Sequence, residues 1–217
     1  MIVLLGVSLV LLVAWVARQT STDWGHRGLN WLDGLNRLFC RYYHGLQDVL
    51  LPLPEQGAAI VVCNHVSGLD PLLLVAASSR PLRFMIAREE YERWGLQWLF
   101  RAVGCIPVDR EGRPELALRE ALLALQRGEV VALFPHGGIH AVDGKPRPLK
   151  RGAVRLAEKT GARLYPARVS GMRGVGHTLL AVVLPGTSHL QTFSPIDCGD
   201  KSPDECQALL AKILNES

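Results

Sequence analysis

Apolar positions fall into three regimes along the chain. Residues 2–17 carry no charge and are dominated by Leu, Val and Ile. From Gly28 to Val49 apolar side chains return at three- and four-residue steps: Leu32, Leu35, Phe39, Tyr42, Leu46 and Val49. That spacing predicts a helix over 28–49. Leu51-Pro52-Leu53-Pro54 then breaks the pattern. From Ala58 onward short β-branched runs alternate with longer helical patterns. Strands are expected over Ala59–Cys63, Arg83–Ile86, Cys105–Val108, Val130–Phe134, Arg163–Val169 and Leu179–Leu184. Helices are expected over Pro71–Ser78, Tyr91–Val103, Pro114–Arg127, Lys150–Thr160 and Pro203–Leu214. Such alternation predicts an α/β fold, a largely parallel mixed sheet covered by helices and preceded by N-terminal membrane-associated helices.

Three parts follow: a membrane anchor over 1–20, an amphipathic or interfacial helix with its linker over 21–54, and an α/β domain over 55–217. The first run lies at the short end of the roughly 17–25 residues a spanning helix needs. A signal peptide is disfavoured, because no Lys or Arg precedes the run and Arg18 occupies the cleavage region. A buried core helix is the third alternative. Arg18, Arg27, Arg37 and Arg41 all follow the run, so the positive-inside rule puts the remainder on the cytoplasmic side of an inner membrane. Trp24 and Trp31 begin the second segment, where indoles favour a lipid–water boundary. A helix packed on its own domain explains that segment equally well.

Composition narrows the class. Of 217 residues 48% are hydrophobic, and the formal net charge is +4. That balance suits an anionic surface or anionic substrate and is too mild for a nucleic-acid partner. Cys40, Cys63, Cys105, Cys198 and Cys206 are odd in number and scattered, without a Cys-x-x-Cys pair. They read as reduced thiols of a cytosolic domain.

The chemistry gathers after the first expected strand. Asn64-His65 ends the apolar run, and Asp70-Pro71 opens a helix, with Asp suited to the N-cap and Pro to the first turn. His65 and Asp70 thus share one strand–helix turn. If the turn folds back, the carboxylate holds one imidazole nitrogen and the other becomes a base for a hydroxyl proton. Asp-Pro at a helix start also occurs for capping alone. Further along, Gly104 to Arg110 ends a strand in Asp109-Arg110, and arginine offers a planar fork to phosphate oxygens. Arg88 follows the strand at Phe84–Ile86 in the same way. Phe134-Pro135-His136-Gly137-Gly138 follows another strand, and glycines there permit close backbone approach to an anion. Lys150-Arg151-Gly152 opens a helix with basic residues.

These stretches resemble, in order and spacing, the motifs of the glycerolipid acyltransferase family over about 58–171; its bacterial type member acylates 1-acylglycerol-3-phosphate. Asn64 to Asp70 resembles the first motif and Gly104 to Arg110 the second. Phe134, Pro135 and Gly137 match the third, whose usual Phe-Pro-Glu-Gly-Thr-Arg-Ser here has His136, Gly138 and Ile139 for Glu, Thr and Arg. Leu164 to Val169 resembles the fourth. The resemblance implies a membrane-associated O-acyltransferase. His65 and Asp70 would be catalytic, with Gly68 near an oxyanion site. Arg110, Arg88, Asn64, His136, Gly137, Gly138 and Lys150 would bind substrate. An acyl-CoA or acyl carrier protein is the expected donor, a lysolipid the acceptor and membrane lipids the surroundings, with no metal and no redox cofactor. Alternatives are acylation of another lysolipid, such as a lyso-aminolipid, and a membrane-tethered lipid-binding protein without turnover. His-Gly-Gly is also similar to an esterase oxyanion loop, but no Gly-x-Ser-x-Gly elbow exists in the chain. His136 and His140 as metal ligands lack an evident third partner.

Overall fold

The computed structural model describes residues 14–16, 18–47, 49–139 and 148–215. Six strands form one sheet: β1 (Ala59–Cys63), β2 (Leu82–Ala87), β3 (Ile106–Val108), β4 (Val130–Leu133), β5 (Arg163–Ser170) and β6 (His189–Thr192). Their order is β3-β2-β4-β1-β5-β6. The first five run parallel, and β6 closes one edge antiparallel to β5. The largely parallel, helix-covered sheet is therefore the observed architecture.

β1 is the spine of the sheet. It lies between β4 and β5, with Val61 level with Ala132 on one side and Tyr165 on the other. All five of its residues are buried. A strand covered on both faces needs a continuous apolar run, and Ala-Ile-Val-Val-Cys supplies one. Alternate side chains then serve two cores. Ala59, Val61 and Cys63 join one with Leu73, Leu74 and Cys40. Ile60 and Val62 join the other with Ala121, Leu125, Val154 and Leu210.

The first core is covered by α1 (Arg27–Leu38), a π-helical turn (Phe39–Tyr43) and α2 (Asp70–Ala76). The second is covered by α5 (Pro114–Gln126), α6 (Gly152–Thr160) and α8 (Pro203–Asn215). Ala117, Ala121, Ala124 and Leu125 form the buried stripe of α5. Short helices α3 (Arg88–Tyr91) and α4 (Gln97–Ala102) link β2 to β3, and α7 (Leu180–Val183) lies between β5 and β6.

Several expectations are corrected. Leu179–Leu184 forms no strand. Its carbonyls serve side chains, the Val182 oxygen His44 and the Val183 oxygen Tyr43, while the edge strand comes later at His189–Thr192. The helix expected over 28–49 ends earlier, where the π-helical turn runs into Gly45 at φ +62°. The expected helix over 91–103 is split around Gly95, at φ +84°. Cys198 and Cys206 are joined in a disulfide, contrary to the reduced reading; Cys40, Cys63 and Cys105 are free and buried. Pro166 falls inside β5, between β1 and β6. It sits one residue before the β6 ladder begins at Ala167, so its missing N–H disrupts little pairing on that side.

The face of α1 that carries Arg37 turns inward. Arg37 bonds Asp33 at 2.7 Å and donates to the carbonyls of Val75 (3.3 Å) and Ala76 (2.6 Å), which end α2, and of Ser78 (2.5 Å) just beyond it. Cationic donors at a helix C-terminus satisfy orphan carbonyls and oppose the helix dipole. The guanidinium thereby fixes the far end of the helix that carries Asp70. For this face, packing on the domain is what the structure shows. Of the expected anchor over 1–20, residues 14–16 and 18–20 are described and the rest lies outside the described residues. Among the described residues no helix is long and apolar enough to cross a membrane.

Candidate functional site

Where β1 ends, backbone hydrogen bonding passes to a side chain. The Asn64 amide donates to the Val169 carbonyl at 2.9 Å and accepts from the Val169 N–H at 2.8 Å. It thus continues the β1–β5 ladder while the main chain turns away. Both ends of the amide are bonded to Val169, so Asn64 shapes the turn.

The turn then winds around one carboxylate. Asp70 is fully buried. Its Oδ2 accepts from the Val66 N–H at 2.7 Å, the Ser67 N–H at 2.9 Å and His65 Nδ1 at 2.8 Å. Its Oδ1 accepts from Ser67 Oγ at 2.6 Å. A buried carboxylate is tolerated because donors saturate it. Asp70 is the first residue of α2, and its side chain reaches back into the preceding turn, while the Leu69 carbonyl closes the first helical turn.

This geometry sets the imidazole. An ionised Asp70 only accepts, so His65 Nδ1 carries the proton and Nε2 presents a lone pair. Phe134, just past the end of β4, stacks on the ring at 4.0 Å between centroids and 14° between planes. Phe84 stacks behind Phe134 at 6.0 Å. Among the described residues no hydrogen bond engages Nε2, and the His65 side chain is 17% exposed. A base with a fixed tautomer and one open nitrogen can take a proton from a hydroxyl. Ser67 and Phe134 escaped the sequence reading as functional positions. Ser67 could have been found from its place three residues before Asp70, a Ser/Thr-x-x-acid spacing.

The other expected residues separate into groups. Arg88 and Arg110 follow the adjacent strands β2 and β3 on the same edge of the sheet as His65. Arg88 Nη1 lies 3.5 Å from Asp109 Oδ2, and Asp109 also accepts from the Gly112 N–H at 2.7 Å. Arg110 is exposed. Gly137 takes φ +80° with the Lys150 side chain against its Cα, and the Lys150 N–H donates to the Pro135 carbonyl at 2.8 Å. His136 Nε2 lies 3.3 Å from Asn215 Oδ1, on the α8 side of the sheet. Gly138 is half-buried, and His140 lies outside the described residues.

An oxyanion donor at Gly68 is not offered by this arrangement. The Gly68 N–H donates to the His177 carbonyl, and a Cβ at 68 would overlap the Thr178 carbonyl. That close approach explains the glycine. The N–H groups of residues 66, 67, 69 and 70 are likewise spent within the turn.

The free thiols are poor nucleophiles. Burial pushes Cys40 and Cys105 up to about 12 and Cys63 well above its usual value. Among the described residues no group of three or more His, Cys, Asp or Glu could hold a metal ion.

A strand-borne imidazole oriented by a buried carboxylate, on the C-terminal edge of a parallel sheet, has the makings of a general-base site on an α/β fold. Comparison with known proteins gives the family. A family model described as Acyltransferase matches residues 46–170, and the chain belongs to that family. It is 29% identical over 120 residues to the 1-acyl-sn-glycerol-3-phosphate acyltransferase of Bacillus subtilis, covering 55% of this chain and 59% of that protein. A chloroplastic 1-acyl-sn-glycerol-3-phosphate acyltransferase of Arabidopsis thaliana is 27% identical over 158 residues, covering 71% of this chain and 44% of that one. The chain therefore spans about half the length of the curated relatives it matches. The crystal structure of the 1-acyl-sn-glycerophosphate acyltransferase PlsC from Thermotoga maritima shares the fold. Its TM-score is 0.66 at 23% identity, over 89% of this chain and 80% of that one.

Proposed function

We propose that this protein transfers an acyl chain from an acyl thioester to the free hydroxyl of a lysophospholipid, with 1-acylglycerol-3-phosphate as acceptor and phosphatidic acid as product. The observation that carries the reading is the His65–Asp70 pair with its open Nε2. The acceptor hydroxyl gives its proton to Nε2 as its oxygen attacks the thioester carbonyl. The tetrahedral adduct collapses, the C–S bond breaks, and the leaving thiolate takes the proton back from His65. Asp70 supports the transient imidazolium. With the free thiols buried and protonated, transfer without an acyl-enzyme is the simpler course.

Arg110 is the candidate phosphate contact. Three strand spacings of roughly 4.8 Å put it about 14 Å across the sheet from His65. Arg88, held by Asp109, stands between the two. His136, Gly137, Gly138 and Lys150 form the third-motif loop as a further acceptor contact. The donor is an acyl-CoA or acyl carrier protein. Membrane association is supported by Trp94 (96% exposed) and Trp98, in the segment after β2, and by Leu179 just before α7 and Val183 at its end, all exposed. The uncharged run over 2–17 would anchor the chain at the cytoplasmic face of the inner membrane.

The test compares lysophosphatidic acid, its dephosphorylated 1-acylglycerol and zwitterionic lysolipids, in wild type and Arg110→Ala. Loss of a charge-assisted fork should lower specificity for the phosphorylated acceptor by about one to two factors of ten, from roughly 1.5–3 kcal/mol. Arg110→Lys should restore little. Equal wild-type rates on every acceptor, unchanged in Arg110→Ala, would remove phosphate recognition and leave His65 and Asp70 serving another head group. No turnover on any lysolipid would leave the lipid-binding alternative.

A further inference from the structure

The third-motif connection between β4 and α6 departs from its family at His136, yet it is gripped at both ends by one distant helix. At its start, His136 Nε2 lies 3.3 Å from Asn215 Oδ1 in the last turn of α8. At its finish, Gln207 Nε2 in α8 donates to the Leu149 carbonyl at 2.9 Å, and Arg151 pairs with Asp204 in the first turn of α8. Between these, the Lys150 N–H donates to the Pro135 carbonyl and draws the two ends together.

The helix is itself firmly placed. Cys206, Leu210 and Leu214, at four-residue steps, are buried in the second core. The disulfide from Cys198 ties its first turns to the segment at Ile196, which pairs with Leu164 of β5. Gln207 keeps a polar end inside this packing, although its Oε1 is buried with no partner among the described residues. An apolar side chain would pack there without that cost, so the amide is explained by the one bond it makes, to Leu149. The pattern is more specific than helix packing requires: polar side chains at 204, 207 and 215 each meet an end of one connection.

We propose that α8 is the clasp that sets the third-motif loop, with Asn215 and Gln207 as positioning residues for acceptor binding. The proposal rests on the reading that His136, Gly137, Gly138 and Lys150 contact the acceptor. With Nε2–H of His136 donating to Asn215 Oδ1, the imidazole is fixed in one tautomer and one direction. The Gln207 bond holds the backbone beside Lys150, whose side chain lies against Gly137. A Glu at position 136, usual in the family, would only accept and would need the Asn215 amide turned to present its NH2, whereas His136 meets the Asn215 oxygen as it stands.

The experiment measures acceptor KM, donor KM, kcat and melting temperature for full-length Asn215→Ala, Gln207→Ala and their double variant. Asn215→Asp, Gln207→Glu and Lys150→Ala complete the set. Each lost bond should raise acceptor KM by roughly 5- to 10-fold, with kcat and donor KM within about two-fold. Asn215→Asp keeps an acceptor for His136 and should stay near wild type. Gln207→Glu sets a carboxylate against the Leu149 carbonyl and should do at least as badly as Gln207→Ala. If Lys150→Ala raises acceptor KM while the α8 variants do not, the clasp is overturned and the acceptor reading stands. If no variant, Lys150→Ala included, moves acceptor KM, that reading fails and the clasp with it. If all kinetic constants and the melting temperature fall together, α8 is only a packing element and the proposal is wrong.

Discussion

Asp70→Asn separates the orienting and electrostatic roles of the buried carboxylate. An asparagine has one oxygen and one NH2 for the two carboxylate positions. The Val66 and Ser67 N–H groups both point at Oδ2. An NH2 at that position would face two fixed donors, so the amide oxygen must take it. That oxygen still accepts from His65 Nδ1, and the imidazole tautomer survives. The NH2 then faces Ser67 Oγ, which can turn to accept it. Three charge-assisted bonds become neutral, at about 1 kcal/mol each, so stability should fall by roughly 2–4 kcal/mol. A domain holding about 5–15 kcal/mol remains folded. Activity should fall about 10²-fold, because only charge support for the imidazolium is lost. Where an asparagine inverts the histidine tautomer in a catalytic triad, the loss is near 10⁴-fold. His65→Ala removes the base altogether and should cost more than Asp70→Asn, within about 10²–10⁴. The assay is thiol release from an acyl thioester with lysophosphatidic acid, alongside denaturant unfolding. Asp70→Asn activity at the wild-type level, or a loss beyond about 10⁴ in a folded protein, would refute the reasoning.

Further outcomes follow from the same framework. Arg37→Ala removes the cation that pairs with buried Asp33, which keeps the Thr20 hydroxyl as a donor, and should cost about 3–5 kcal/mol in unfolding free energy, as for other broken buried ion pairs. Burial draws His44 below the ordinary imidazole value. The unfolded chain then binds the extra proton first, so stability should be full above about pH 6.5 and decline as pH falls through the lowered folded value. A His44→Phe chain should show a shallower acid decline in urea titrations at successive pH values. Iodoacetamide at pH 8 should leave Cys40, Cys63 and Cys105 unmodified in the folded protein, as read by intact mass, because burial raises all three. Rapid labelling of any of them would contradict that burial.

The sheet was legible because its two innermost strands are short continuous apolar runs, Ala59–Cys63 ended by Asn64-His65 and Val130–Leu133 followed by Phe134-Pro135. Misreadings fell where a periodic pattern has two physical solutions. Leu179–Leu184 is as apolar as a strand, but Tyr43 and His44 take its carbonyls, and contacts some 140 residues apart leave no local mark. The true edge strand, His-Leu-Gln-Thr, buries only Leu190 and so reads as loop. The helix expected over 28–49 kept its three–four spacing across the π-helical turn, because one extra residue in a turn barely shifts an amphipathic stripe.

The site was legible to the extent that it is local. His65 and Asp70 are five residues apart, so their chemistry could be inferred from one turn, and the structure adds that Ser67 and Phe134 lock it. Asn64 shows the opposite limit. Its place in a motif invited a substrate role, but the partner that occupies it, Val169, lies 105 residues away. The third motif follows the same logic. Read alone, His136 looks like a lost glutamate. Set against Asn215, it is one half of a pair whose other half stands at the far end of α8. A departure from a motif is interpretable only with the residue that faces it. The substitution at 136 is therefore better read as a change in how the acceptor loop is held than as evidence that the His65–Asp70 chemistry has been abandoned.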